Sequence, residues 1–250
     1  MGGVEVLGID IGGSGIKGAV VDVDRGSLTT ERRKILTPQP ASPTAVAGVV
    51  AELVDFFSWD GAVGCTFPAV VRNGVVLSAA NVDADWVGVH GGEIFAESIG
   101  RPVVLLNDAD AAGIAEFRFG VARREGVVFV LTFGTGIGSA VFVEGHLMPN
   151  TEFGHIEFKG MHAEHYCAAR VREAEGLTMK RWARRVDRYL TYLYELFGPD
   201  LIVIGGGVCR RFDEFSEWLS PGTEVVAAGL LNEAGIVGAA LAAAGGASFS

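Results

Sequence analysis

Asp10-Ile-Gly-Gly-Ser-Gly-Ile-Lys17 brackets a run of glycines with a carboxylate and an ammonium. Residues without a Cβ let consecutive backbone N–H groups point at one anion, so Gly12, Gly13 and Gly15, with Ile16 after them, suit a phosphate-binding nest. Ser14 adds a hydroxyl donor and Lys17 a positive charge. Asp10 could hold Mg²⁺ through water, since a carboxylate plus substrate phosphates is a common magnesium shell. The spacing is neither G-x-x-x-x-G-K-S/T nor a dinucleotide fingerprint, because this turn joins two apolar runs instead of opening a helix. An ordinary glycine hairpin is the alternative. Thr132-Phe-Gly-Thr-Gly-Ile-Gly138 repeats the chemistry without the lysine, with donors at Thr132, Gly134, Thr135, Gly136 and Gly138. Gly205-Gly206-Gly207 follows a third apolar run; it either lets a flat group such as adenine approach closely or makes a plain strand-to-helix turn.

Asn107-Asp108 follows four apolar residues, which places a carboxylate at the end of a buried strand. Catalysis is the common reason to keep such a group, and capping of the next helix is the alternative for either residue. Two basic clusters stand out: Arg118, Arg123 and Arg124 soon after Asp108, and Lys180, Arg181, Arg184, Arg185 and Arg188 on neighbouring faces of one expected helix. Each is either a track for a polyanion or a solvated charged surface. The opposite stripe of that helix, from Trp182 to Phe197, reads as core or as a dimer contact. His155, His162, His165 and Cys167 invite a zinc reading, but on a helix Cys167 leaves the face shared by His162 and His165, so no zinc is expected.

The elements that must position these residues alternate between strand and helix, giving an α/β class. Strands are expected at Glu5–Asp10, Ile16–Asp24, Ala62–Phe67, Val103–Leu106, Val127–Thr132, Ser139–Val143, Leu201–Ile204 and Glu224–Val226. Helices are expected from Ser42-Pro43 to Trp59, then at Glu93–Ile99, Ala109–Phe119, Ala163–Glu175, Thr178–Phe197, Phe212–Leu219 and Glu233–Ala244. Aligned without gaps, Gly13–Val21 matches Gly134–Phe142 at five of nine positions, which suggests two related lobes. The division is placed at residues 1–107 and 108–250, with the last helix returning to the first lobe.

The 250 residues are 49% hydrophobic and include 36 glycines, enough apolar material for a large core and about twice the usual glycine share of roughly 7%. Thirty acidic against 20 basic residues leave a net charge of −10, which argues against binding to nucleic acid or an anionic membrane surface. Three scattered cysteines and an opening Met1-Gly2-Gly3-Val4 without a signal pattern lead us to expect a cytoplasmic protein.

Together, Asp10–Lys17, Asn107-Asp108-Ala-Asp110, Thr132–Gly138, Glu152-Phe-Gly-His155 and Ile204-Gly-Gly-Gly-Val208 resemble the ROK family of sugar kinases in order along nearly the whole chain. Within that family, Pro149–Phe158, Ala80-Asn-Val-Asp83 and Asn232–Ala240 are most similar to the polyphosphate glucokinases. The resemblance implies an actin-like ATPase (ribonuclease H-like) fold, two α/β lobes around a cleft, and a homodimer. It also implies phosphoryl transfer from polyphosphate or ATP, with Mg²⁺, to the 6-hydroxyl of glucose. By position, Asp108 would be the general base, and Asn107, Glu152 and His155 would bind the sugar, with Asn81 and Asp83 as further candidates. Arg118, Arg123, Arg124, Lys180 and Arg184 would be the polyphosphate contacts. Many members follow E-x-G-H with a C-x-C-G-x-x-G-C zinc cluster and then another sugar-binding glutamate. This chain lacks the cluster, so the glutamate is unplaced and Glu157 is the candidate. An ATP-only kinase for mannose or an N-acetylhexosamine, and a sugar sensor without turnover, are the competing readings.

Overall fold

The computed structural model describes residues 3–79, 83–122 and 125–246. The apolar runs on either side of the first glycine turn pair as β1 (Glu5–Gly12) and β2 (Gly15–Asp22), followed by β3 (Ser27–Leu28) and β4 (Arg33–Ile35). Helix α1 (Pro43–Phe56) starts where Ser42 accepts the Ala45 N–H and Pro43 fills the first helical position. Strand β5 (Val63–Phe67), the hairpin β6 (Val71–Arg72) and β7 (Val75–Val76), helix α2 (Gly91–Ile99), strand β8 (Val103–Asn107) and helix α3 (Asp108–Phe119) follow. The later chain runs through β9 (Val127–Phe133), β10 (Ile137–Val143), β11 (His146–Met148), β12 (Glu157–Phe158), β13 (Met161–His162), α4 (Ala163–Cys167), α5 (Ala169–Ala174) and α6 (Met179–Phe197). It closes with β14 (Leu201–Gly205), β15 (Glu224–Ala227) and α7 (Ala234–Leu241).

The described residues up to Ala115 and from Glu233 onward form one compact unit, and Glu116–Asn232 form another. The division thus falls inside α3 and not at Asn107. The start of α3 belongs with the first unit, where Gly238 of α7 lies so close to the backbone of Ala111 that a Cβ would overlap it. Beyond Ala115, the buried Glu116 carboxylate accepts the N–H groups of Gly229 at 3.1 Å and Leu230 at 2.6 Å.

The first sheet has the order β3-β2-β1-β5-β8, with β4 also on β2; the second has β11-β10-β9-β14-β15. In each, a central strand pairs antiparallel with the next strand in the chain and parallel with a later one. The short Gly-Ser/Thr-Gly-Ile repeat therefore marks the same structural position twice, the turn beside the first parallel strand of each unit. In the first unit, α1 packs Val46, Val50 and Leu53 against Leu7 and Ile9, with Trp86 and Phe95 also fully buried. Helix α7 covers the other face, where glycine at Gly64 leaves room for the carbonyl of Ala239. In the second unit, Trp182, Val186, Tyr189 and Leu193 of α6 pack on Phe129, Leu131, Ile202 and Ile204, so that stripe is core as far as Leu193, and Phe197 at its end is half-exposed.

Three helices differ from expectation. Ala163–Glu175 is broken at Ala168, whose backbone is extended; the Trp182 indole N–H is shared between the carbonyls of Cys167 and Ala168, and the Arg170 N–H goes to Gly134. Phe212–Leu219 is two 3₁₀ turns, 207–214 and 216–218, because Phe215 turns inward against Trp182 and Phe212. The last helix ends its regular turns at Leu241, and residues 242–246 form a wider π turn.

Candidate active site

In the first unit, the turn between β1 and β2 is as tight as the strands allow, with Gly12 opposite Gly15 and Gly13-Ser14 exposed at the tip. Asp10 and Lys17 are cross-strand partners, with Lys17 Nζ 3.4 Å from Asp10 Oδ2. The other carboxylate oxygen accepts the Thr66 hydroxyl at 2.9 Å, and that hydroxyl oxygen accepts the Ile11 N–H at 3.2 Å. A Thr in an otherwise apolar strand was the signal for this anchor. The carbonyl of Gly12 accepts the Thr37 hydroxyl, which ties the turn to the segment after β4. A cavity of about 250 Å³ opens beside the same turn, lined by Gly12, Gly13, Thr37, Phe67, Asp83 and Trp86 among others.

β5 and β8 pair in register up to Phe67 opposite Asn107. The buried Asn107 donates from Nδ2 to the carbonyl of Ala69 at 3.0 Å and accepts the Asp110 N–H at Oδ1, at 2.9 Å. Asn107 is thus the cap of α3. Asp108 is the first helical residue, half-buried, with Oδ1 2.8 Å from its neighbour's N–H donor at Ala109. First-turn N–H groups favour a negative charge there. Asp83 caps a 3₁₀ turn, Ala84–Trp86, through the Asp85 N–H. Asn81, Arg123 and Arg124 lie outside the described residues.

In the second unit, β9 and β10 present Gly134 and Thr135 at an exposed turn, and the backbone closes on itself where Gly134 N–H donates to the Gly136 carbonyl at 3.0 Å. Gly206 has φ +79° and lies against the Phe133 backbone, so the third glycine run makes the strand-to-turn corner that holds this loop. Gly207 faces open space.

Glu152 precedes and His155 ends a 3₁₀ turn, Phe153–His155, that is pinned from two sides. Ser139 Oγ accepts the Phe153 N–H at 3.0 Å, and the buried Tyr189 hydroxyl donates to the Phe153 carbonyl at 3.0 Å. His155 Nδ1 lies 3.5 Å from Glu152 Oε2, and its Nε2 lies 4.0 Å from Glu164 Oε1. Glu164 is buried, accepts the Ile137 N–H at 3.4 Å, and is 3.6 Å from His165 Nε2. Burial raises the Glu152 carboxyl above its ordinary range; His155 opposes that and Glu164 adds to it. Glu164 is thus the buried glutamate beside His155, whereas Glu157, the candidate from the sequence, is exposed on β12. Its signal was an isolated acid at the start of a helix, Ala163-Glu164, just after the histidine turn. The rings of His155, His162 and His165 succeed one another at 5.4 and 5.6 Å, and among the described residues no three His, Cys, Asp or Glu side chains gather to hold a metal ion.

Of the basic candidates, Arg118 is exposed with its guanidinium 5.9 Å from the Phe119 ring, and Lys180 lies over Trp218 at 5.6 Å. Arg184 is exposed, but Arg185 is held by both oxygens of Glu175, and Arg188 donates to the Tyr166 hydroxyl. Part of that helix face is thus internal ion pairing.

The family model described as "ROK family" matches residues 6–173. The chain is 52% identical over 238 residues to the polyphosphate glucokinase of Mycobacterium tuberculosis, covering 94% of this chain and 90% of that one. Among solved structures, it is similar to the inorganic polyphosphate/ATP-glucomannokinase of Arthrobacter sp. strain KM, with TM-score 0.93, 45% identity and coverage of 96% and 98% of the two chains. It is also similar to a ROK family glucokinase from Streptomyces griseus in complex with glucose and AMPPNP, with TM-score 0.80, 26% identity and coverage of 97% and 100%. With two like-ordered α/β sheets of the actin-like ATPase type and these relatives along its length, the chain belongs to the ROK family.

Proposed function

We propose that the protein transfers the terminal phosphoryl group of inorganic polyphosphate, ATP or both to the 6-hydroxyl of glucose. The observation that carries the sugar half is the Glu152–His155–Glu164 set, an imidazole 3.5 Å from one carboxylate and 4.0 Å from a second. Such groups read hydroxyl positions, because a ligand lacking a hydroxyl leaves them buried and unpaired. The likeness to polyphosphate glucokinase at 52% identity supports the donor and the acceptor.

Asp108 takes the proton from the 6-hydroxyl as that oxygen attacks the terminal phosphorus; the bond to the next phosphate oxygen breaks, leaving a shortened polyphosphate or ADP. Asn107 fixes the backbone from which Asp108 projects. Phosphoryl transfer depends mainly on positioning and charge stabilisation. In the first unit, Lys17, Ser14 and the N–H groups of the Gly12–Lys17 turn supply donors for phosphate oxygens; the second unit has a glycine turn of the same kind at Thr132–Gly138. Magnesium, when bound, neutralises the terminal phosphates. Asp10 fits a water-mediated hold on it, because its two oxygens already face the Thr66 hydroxyl and the Lys17 ammonium.

A second acceptor has an observation of its own: the likeness to a glucomannokinase extends the reading to mannose. We place the protein in the cytoplasm as a homodimer. Three buried free cysteines support the first, and no described helix is long and apolar enough to cross a membrane. The half-exposed Leu196 and Phe197 support the second. The test is formation of glucose 6-phosphate with long-chain polyphosphate and with ATP as alternative donors. Turnover with polyphosphate is expected, and absence of turnover with either donor would overturn the reading.

A further inference from the structure

The first sheet carries charge along a single transverse row. Register pairs Lys34 of β4 with Lys17 of β2, Lys17 with Asp10 of β1, and Asp10 with Thr66 of β5. Residues paired this way project from the same face. Within the row, Asp10 is met on both sides, by Lys17 Nζ at 3.4 Å and by the Thr66 hydroxyl at 2.9 Å. Lys34 is the surplus charge: among the described residues it makes no ion pair, and its side chain is exposed.

Where that side chain runs is fixed by Gly15. A Cβ at Gly15 would overlap Lys34 Cε and would stand 3.2 Å from Nζ, so the lysine lies directly across the back of the turn. Strand alternation sends its neighbour Arg33 to the opposite face, where the guanidinium sits 5.0 Å from the Phe56 ring. β4 therefore delivers one ammonium, and only one, to the turn whose exposed tip is Gly13-Ser14.

The two donors differ past their first few phosphates: ATP ends in a nucleoside, whereas polyphosphate continues as a polyanion. A cation beside the turn, outside the Asp10–Lys17 pair, suits the longer donor. We propose that Lys34 is a polyphosphate subsite, binding phosphates behind the transferred one as the chain passes over Gly15 toward β4. The inference rests on the donor reading above and names where the chain runs. It differs from the helix α6 track, in which Arg185 and Arg188 are already engaged.

The test compares kcat/KM with long-chain polyphosphate and with ATP, at saturating glucose, in wild type, Lys34→Ala, Lys34→Arg and Lys34→Glu. The polyphosphate-to-ATP ratio is expected to fall about tenfold in the alanine variant, the scale of one charge-assisted contact, and further in the glutamate variant. Arginine should keep it within about threefold of wild type. A ratio within twofold of wild type in both the alanine and the glutamate variants would overturn the subsite. Wild-type protein that turns over ATP but not polyphosphate would overturn the polyphosphate half of the donor reading and the subsite with it, and that result is read before any variant.

Discussion

Asn107 and Asp108 are adjacent, yet they do different work. The amide closes the first turn of α3 and holds Ala69, so Asn107→Ala should lower stability by about 1–2 kcal/mol in urea unfolding, the scale of a lost cap. Glu152 has a different signature. Its carboxyl is raised from the ordinary 4.5 chiefly by burial, so its ionisation is harder in the folded than in the unfolded chain. Any stability linked to its proton is complete below pH 4.5 and is lost as pH rises through the higher folded value. Glu152→Gln cannot ionise. Thermal melts should show it matching wild type near pH 4.5 and gaining on it toward neutrality, while its KM for glucose rises. A variant that trails wild type more at neutral pH than in acid would contradict this. Glu164→Gln should raise the glucose KM about tenfold, the scale of one charge-assisted contact, with a smaller change in the KM for the donor, because the carboxylate sits beside His155, the imidazole we propose reads the sugar.

At the scale of elements, what could be read from the chain depended on how local the cause was. Most strand beginnings and the Ser42-Pro43 helix start are set by residues within a turn of each other, and they stand within a residue of where they are expected. The break at Ala168 and the 3₁₀ turns around Phe215 are set by Trp182, a residue distant in sequence whose indole takes two carbonyls and whose ring meets Phe215 at 5.1 Å. No local pattern carries such a contact. The site divides the same way: the glycine turns and Glu152-Phe-Gly-His155 were visible as motifs, whereas Thr66, Lys34 and Glu164 gain meaning only from strand register or from burial beside His155. Glu116 is the strongest unanticipated tether, a carboxylate 1% exposed that accepts the N–H groups of Val121, Gly229 and Leu230. Glu116→Ala leaves those donors unsatisfied and should cost about 2–4 kcal/mol, measurable as a lower urea midpoint.

For the whole molecule, the repeated glycine motif and the repeated sheet order are one fact seen twice. Gly13–Val21 and Gly134–Phe142 occupy equivalent hairpins, in sheets whose strands run β3-β2-β1-β5-β8 and β11-β10-β9-β14-β15. Each unit thereby places a polar, glycine-rich turn at the end of its central strand, which is where ligands bind in sheets of this kind. The acidic total of −10 makes those local donors necessary, since bulk charge repels the phosphate donor. The proposed homodimer belongs to this scale as well. Leu196 and Phe197 are 53% and 44% exposed, so a Leu196→Asp variant should run as a monomer in light scattering if that face is covered. Catalysis, as proposed, turns on Asp108 removing the proton from a sugar hydroxyl. The measurement that tests it is the rate of glucose 6-phosphate formation by Asp108→Asn, taken together with calorimetric glucose binding. A rate lower by about 10²- to 10⁴-fold is expected, with glucose affinity within a few-fold of wild type; wild-type turnover by the asparagine variant would show that Asp108 is not the base.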